Sequence, residues 1–154
     1  MRALIQRVAS AKVEVEGRVT GEIGRGLLIL VAVHESDTEK DVNWLADKVV
    51  SLRLFSDDGD KMNLSCLDIG GELLVVSQFT LYGDCRRGRR PSYSHSAAPQ
   101  LAEPLYQRFV ERLQQSGLNV QQGVFQAHMN VSLVNDGPVT VLVDSPRPNG
   151  DSNG

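Results

Sequence analysis

Hydroxyl and amide side chains follow an apolar run in the middle of the chain. The run Leu73 to Val76 leads into Ser77, Gln78, Phe79 and Thr80. Polar residues at the end of a buried strand often bind or catalyse. A serine or threonine hydroxyl is a good nucleophile only beside a base, and no histidine or lysine is close in sequence. The segment is therefore compatible with catalysis and with structural hydrogen bonding alike.

A site without a base can still be catalytic. It positions a reactive group of the substrate and stabilises the developing charge with backbone amides. Ser77 is not part of a G-x-S-x-G elbow, so the sequence gives little support to an α/β-hydrolase. A triad built through the fold with His95 or His128 remains a minor alternative.

A second candidate segment reads Asn135-Asp136-Gly137-Pro138-Val139-Thr140. It separates two β-like runs, residues 129–134 and 139–143. Proline has no N–H and belongs at a turn, an edge or a bulge, so an ordinary β-turn is one interpretation. The other is that the backbone itself is functional, since bonds preceding proline adopt the cis form at low cost.

Four arginines lie within five residues, although the net charge of the chain is −3. Guanidinium groups are permanently charged and fork onto phosphate oxygens. The cluster is either a solvated basic loop or a phosphate-binding loop. Its members are Arg86, Arg87, Arg89 and Arg90.

Metal and thiol chemistry have little support in the sequence. His34, His95 and His128 are scattered without metal-ligand spacing. Cys66 and Cys85 are isolated, so we expect two free thiols. We therefore predict neither a metal nor a cofactor.

Hydrophobic periodicity predicts strands, a helix, strands, a helix and strands. Ser36 and Glu39 fit a capping box at the start of the first helix. Pro104 is tolerated in the second helix only if it lies in the first turn. The order predicts an α/β (α+β) fold with a strongly curved, barrel-like β-sheet and two main amphipathic helices. The predicted helices are residues 38–52 and 101–115, and a long surface loop covers 82–98.

The chain of 154 residues suits a single domain. We place that domain at residues 1–143 and expect a disordered tail at 144–154, because the tail lacks apolar residues. Charge interrupts the N-terminus before any apolar signal region, and no run approaches the roughly 20 apolar residues that span a bilayer. We expect a soluble, cytoplasmic protein without a membrane partner.

The two candidate segments together resemble the signature motifs of the D-aminoacyl-tRNA deacylase family. These are Ser77-Gln78-Phe79-Thr80-Leu81 and the segment from Asn135 to Thr140. The resemblance extends from Met1 through Val143. It includes residues 3–8, 62–64, 90–92 and 131–134.

The resemblance implies a two-fold homodimer with active sites at the subunit interface. Gly137-Pro138 would be cis, would enter the partner's pocket and would exclude an L side chain, with Arg7 holding it in place. Residues 77–81 would form the opposing wall. The reaction would be hydrolysis of D-aminoacyl-tRNA, with glycyl-tRNA(Ala) as a second substrate. Either the ribose 2′-OH of the substrate would assist, positioned by backbone groups near Phe79 and Thr80, or Thr80 would be a nucleophile. The Arg86 to Arg90 loop would contact tRNA.

Two other classes of protein remain open on the sequence. One is a non-catalytic tRNA- or RNA-binding module, in which the arginine loop binds and the strand-end hydroxyls are structural. The other is a self-associating structural domain without a nucleic-acid role. Binding of charged tRNA without a shorter ester lifetime would identify the binding module.

Overall fold

The computed structural model describes residues 1–147. Its three helices are α1 (Glu39–Ser51), the single turn α2 (Cys66–Ile69) and α3 (Pro99–Gln114). A 3₁₀ turn covers Phe79–Tyr82. The strands are β1 (Arg2–Val15), β2 (Arg18–Ile23), β3 (Gly26–Ala32), β4 (Phe55–Ser56), β5 (Met62–Leu64), β6 (Glu72–Ser77), β7 (Val120–Gln122) and β8 (Asn130–Asp144).

The long strand β1 organises the main sheet. On one edge its first half pairs with β3 and its second half with β2, both antiparallel. On its other edge β8 pairs with it over almost its whole length. Strands β3, β6 and β7 run parallel. Parallel neighbours need crossover connections, and these contain α1 and α3.

The sheet curves into a nearly closed barrel, because β2 returns to pack against β6 and β7. Gly21 permits this approach, since a Cβ there would lie 2.9 Å from the carbonyl oxygen of Gln122. The predicted barrel-like α/β architecture is confirmed. What the sequence did not predict is the short α2 turn and the two-stranded β4–β5 sheet.

Two apolar clusters follow from the alternation of side chains along the strands. Successive residues of β3 illustrate it, because Leu27 and Ile29 belong to one cluster and Leu28 to the other. The smaller cluster, which also includes Val13 and Leu74, fills the barrel. The larger cluster lies between the sheet and helices α1 and α3. The helices therefore form one layer over the outside of the barrel.

Both main helices form, with corrections at their first turns. Helix α1 begins after Thr38, whose backbone N–H donates to the Asp41 carboxylate at 2.9 Å. Ser36, the predicted cap, instead contacts the His34 ring. Helix α3 begins at Pro99, so Pro104 lies in its second turn and not in its first. Pro99 takes the first position, where the missing N–H costs nothing.

The ordered chain continues past the predicted domain boundary at Val143. Asp144 is part of β8, and Ser145 is buried. The Met1 amine donates to Asp37 and to the Ser145 hydroxyl, each at 2.7 Å. Most of the predicted tail, residues 148–154, lies outside the described residues. None of the helices within residues 1–147 combines the length and apolar composition that crossing a bilayer requires.

Candidate active site

A cavity of about 650 Å³ opens at the carboxyl ends of the parallel strands β3 and β6. Ligands of α/β proteins commonly bind at this edge of a sheet, and the volume suits a small-molecule group. Strand ends, the start of α3 and the segment between β7 and β8 form its wall. The lining residues are Ala32, Val33, Val76, Ser77, Gln78, Phe79, Ala97, Pro99, Ala102, Phe125, Gln126, Ala127, His128, Met129 and Val131.

The predicted strand-end motif lies at this cavity. Ser77 is the last residue of β6, and the N–H of Gln78 donates to Val31 O at 2.8 Å. The chain then enters the 3₁₀ turn, where Phe79 is 56% exposed. The Ser96 hydroxyl fixes this turn by donating to Phe79 O at 2.9 Å.

The hydroxyls of this motif have no basic partner. The Gln78 side-chain amide donates to Thr80 Oγ1 at 2.5 Å. His128 lines the cavity, but within residues 1–147 no histidine or lysine bonds to the hydroxyl of Ser77 or Thr80. The first N–H groups of a helical turn lack partners within it. The geometry therefore offers backbone donors at Phe79 and Thr80, and no activated nucleophile.

The Gly137-Pro138 peptide bond is cis, as the family resemblance implied. The segment is not a turn between two strands, because β8 continues through it. Gln6 pairs with Thr140 and Val8 with Asn135, so four residues bulge out opposite Arg7 alone. Gly137 and Pro138 are both exposed. The fold thus displays this backbone outward from the edge of the sheet.

Two side chains hold the bulge in place. Arg7 Nε donates to Asp136 O at 3.0 Å, and its Nη1 donates to Leu54 O at 2.8 Å. Asn135 Nδ2 donates to Arg7 O at 2.9 Å and to Val139 O at 3.2 Å. A Cβ at Gly137 would lie 2.9 Å from Asn135 Oδ1. We did not predict these two hydrogen bonds of Asn135 from the sequence, although Asn135 is the first residue of the motif.

One chain does not bring the two motifs into the same cavity. Ser77, Gln78 and Phe79 line it, whereas Gly137 and Pro138 do not. Thr80 lies on the exposed side of the turn. Within one chain, the Gly137-Pro138 backbone is therefore not part of the cavity that Ser77 lines.

The arginine cluster lies on an exposed loop, as predicted. Arg86 forms a two-point pair with Asp84, at 2.8 and 2.7 Å. The Arg86 guanidinium holds the pKa of the Asp84 carboxyl well below its usual value. Arg87 and Arg90 line a shallow depression of about 570 Å³ on this loop, and Arg89 is exposed beside them.

The fold brings together two histidines that appeared scattered in the sequence. The rings of His34 and His95 stack with centroids 5.7 Å apart and planes 11° apart. With Glu35 they form a group whose potential metal-ligating atoms lie within 4.8 Å of one another. Burial lowers the pKa of His34. An isolated antiparallel β-bridge between His34 and Ser96 brings the two histidines together. No local sequence pattern indicates such a β-bridge.

Comparison with known proteins identifies the relatives of this chain. The model of the family described as D-Tyr-tRNA(Tyr) deacylase matches residues 4–144. The D-aminoacyl-tRNA deacylase of Thermosipho africanus (strain TCF52B) is 60% identical over 147 residues, which cover 96% of this chain and 99% of that relative. The D-aminoacyl-tRNA deacylase of Clostridioides difficile (strain 630) is 56% identical over 147 residues, with the same coverage.

Two solved structures have the same fold as this chain. The c-Myc DNA Unwinding Element Binding Protein has a TM-score of 0.89 at 36% identity, covering 96% of this chain and all of its own. A probable eukaryotic D-amino acid tRNA deacylase has a TM-score of 0.81 at 17% identity and covers 93% of this chain and 98% of its own. At 17% identity, this second match shows a common fold alone. The family match and the close relatives show that the chain belongs to the D-aminoacyl-tRNA deacylase family of hydrolases.

Proposed function

We propose that this chain hydrolyses the ester between a D-amino acid and the terminal adenosine of tRNA, and that it rejects the L enantiomer. The observation that carries the proposal is the separation of the two motifs. The cavity at Ser77 and Phe79 lacks the Gly137-Pro138 backbone, which is exposed on a bulge of β8. A second copy of the chain supplies the missing wall.

The exposed surface of β8 supports such a homodimer. Leu133, Val134 and Leu142 are large apolar side chains that remain 36%, 57% and 54% exposed. The edge of β8 away from β1 has no strand partner within the described residues. Exposed apolar residues on a free strand edge favour association with another chain. In a two-fold dimer the same surface of both copies is used, so both sites are completed at once.

A backbone wedge explains how chirality is selected without selecting the amino acid. The Gly137-Pro138 backbone occupies the position that an L side chain would take, and so it clashes with every L residue. Glycine has no side chain on either side of its Cα and escapes this exclusion. We therefore include glycyl-tRNA(Ala) as a second substrate.

The chemistry relies on positioning and on backbone charge stabilisation. Water adds to the ester carbonyl carbon, the bond from that carbon to the ribose oxygen breaks, and the leaving oxygen takes a proton. The neighbouring ribose 2′-OH assists this proton transfer. The N–H groups of Phe79 and Thr80 lie at the start of the turn, where they can donate to the developing oxyanion. No base on Ser77 or Thr80 is needed for this route.

The arginine loop provides the contact with the tRNA backbone. Arg87, Arg89 and Arg90 extend from an exposed loop that begins just after the Phe79–Tyr82 turn. Their charge attracts phosphates even though the whole chain is acidic. Such a contact weakens steeply as the salt concentration rises.

Side-by-side deacylation of D-Tyr-tRNA and L-Tyr-tRNA tests the proposed function. We expect release of D-Tyr at a rate far above spontaneous hydrolysis and no acceleration for L-Tyr. Equal cleavage of the two esters would contradict the chiral wedge. Tight binding of both without any shortening of the ester lifetime would instead identify the non-catalytic RNA-binding module.

A further inference from the structure

A second cavity, of about 630 Å³, lies next to the first and shares its wall. Val33 faces the first cavity, and the next residue, His34, lines the second. Likewise Ala97 faces the first cavity, and His95, two residues before it, lines the second. The segment where His34 pairs with Ser96 therefore lies between the two cavities. We call the second cavity the Tyr82 cleft, and its lining residues are Arg2, His34, Glu35, Tyr82, Gly83, Asp84, Cys85, Arg86, His95 and Arg147.

Flat rings and guanidinium groups dominate the Tyr82 cleft. The stacked His34 and His95 rings lie beside Tyr82, whose ring meets His34 edge-on at 5.2 Å. The guanidinium carbon of Arg2 lies 4.9 Å from the Tyr82 ring centre, and that of Arg147 lies 5.9 Å from it. Rings and guanidinium planes are the surfaces on which proteins stack unpaired nucleobases.

The cleft also offers hydrogen-bonding groups of both kinds. The Glu35 carboxylate accepts, and it lies 3.1 Å from His95 Nδ1. Arg147 donates and has no carboxylate partner among residues 1–147. Tyr82 is only 8% exposed, and the Arg147 guanidinium lies beside its ring. A mixed set of donors and acceptors matches the edge of a base better than it matches a phosphate, which only accepts.

The hydrogen bonds of His34 oppose a metal in the same place. The backbone N–H of Ser36 donates to His34 Nδ1 at 3.1 Å, so this nitrogen uses its lone pair within the protein. In a neutral imidazole the other nitrogen then carries the proton. The His34 ring therefore has no lone pair left for a metal ion.

The position of the cleft connects the two parts of the proposed tRNA site. On one side it adjoins the cavity at Phe79. On the other side Asp84 and Arg86 belong both to the cleft and to the depression lined by Arg87 and Arg90. The cleft therefore lies between the first cavity and the arginine loop, where a nucleic-acid strand joining the two could cross it.

We propose that the Tyr82 cleft binds an unpaired nucleobase of the single-stranded 3′ end of tRNA, one that precedes the terminal adenosine. The base stacks against the exposed His95 ring, which itself stacks on His34, with Arg147 donating to the edge of the base. Glu35 accepts from an exocyclic amino group, as carboxylates accept from the amino group of cytosine. This inference rests on the proposed function for the identity of the RNA.

Comparison of two substrates tests the proposal. His95→Ala and Arg147→Ala remove exposed groups of the cleft, and Arg108→Ala on α3 is the matched control, since Arg108 is an exposed cation paired with Glu39. With D-Tyr-tRNA we expect kcat/KM to fall about tenfold for the cleft variants, mainly through KM, because one stacked base is lost. With D-tyrosyl-adenosine, which ends at the terminal nucleoside, they should match the Arg108→Ala control.

Direct binding separates this proposal from the proposed function. Uncharged tRNA with an intact 3′ end should bind the unmodified chain more tightly than tRNA trimmed of its unpaired 3′ nucleotides, and the cleft variants should lose that difference. Equal losses on both esters, or equal binding of intact and trimmed tRNA by the unmodified chain, would overturn the proposal. Tight zinc binding would also overturn the proposal if His95→Ala abolished it and left the KM for D-Tyr-tRNA unchanged. Absence of deacylation alone would contradict only the proposed function.

Discussion

Thr80 decides between two mechanisms at the scale of single residues. Its hydroxyl accepts a hydrogen bond from Gln78 at 2.5 Å and has no basic partner in the described chain. We therefore expect Thr80→Ala to retain deacylation of D-Tyr-tRNA within about tenfold, because only a positioning contact is lost. Single-turnover hydrolysis measures this directly, with Thr80→Ser as the matched control. A loss beyond about 10³-fold for Thr80→Ala alone would indicate a nucleophile.

Arg7 is the second residue with a decisive contact. Its guanidinium donates hydrogen bonds to Asp136 O, next to Gly137, at 3.0 Å and to Leu54 O at 2.8 Å. Lysine cannot make both bonds from one planar group. We expect Arg7→Lys to loosen the bulge, so that hydrolysis of L-Tyr-tRNA rises at least about tenfold relative to D-Tyr-tRNA.

Arg18→Lys on the exposed strand β2 is the control for that change. It makes the same substitution at a distance from the bulge and should leave the ratio of D to L rates unchanged. An unaltered ratio in Arg7→Lys, with a folded protein by circular dichroism, would remove Arg7 from chiral selection.

At the scale of elements, the arginine loop predicts a salt effect. Arg87→Ala with Arg90→Ala removes two charges from the depression on the loop. We expect tRNA binding to weaken and the slope of log affinity against log salt to fall by about one for each lost phosphate contact. Fluorescence titration at several salt concentrations measures the slope.

The matched control removes two charges elsewhere. Arg108→Ala with Arg112→Ala changes the net charge equally, but these arginines pair with Glu39 and Asp47 across helices α1 and α3. The slope should stay as in the unmodified chain. If both double variants changed it equally, general attraction and not the loop would account for tRNA binding.

The elements also show which parts of the fold the sequence determines locally. The apolar run before Ser77 and the periodicity of α1 and α3 depend on neighbouring residues, and the predictions from them are confirmed. The Gly137-Pro138 bulge is different. Its residues form one strand only because the distant β1 is long enough to pair on both sides of them.

The residues of the candidate site divide in the same way. Ser77 and Gln78 were found from the end of an apolar run, which is a local signal. The pairing of His34 with Ser96, and hence the Tyr82 cleft, comes from segments about 60 residues apart in the chain. Long-range contacts of this kind leave no periodicity or spacing to detect.

At the scale of the whole molecule, we propose that a dimer of the 16.9 kDa chain completes the composite site. Val134→Asp with Leu142→Asp adds charge to the exposed apolar side chains of β8. Burying unpaired carboxylates in an interface is strongly unfavourable, so we expect sedimentation to change from two chains to one. The variant should also lose discrimination between D- and L-Tyr-tRNA, since the partner's Gly-Pro wall is absent.

A control with the same chemistry makes this result specific. Met62→Asp with Leu67→Asp alters two other exposed apolar residues, on β5 and α2, and this variant should remain a dimer with full chiral selection. An unmodified chain that sediments as one copy and still cleaves only the D ester would contradict the shared site. Chiral selection would then have to come from the cavity of a single chain, where Gly137 and Pro138 take no part.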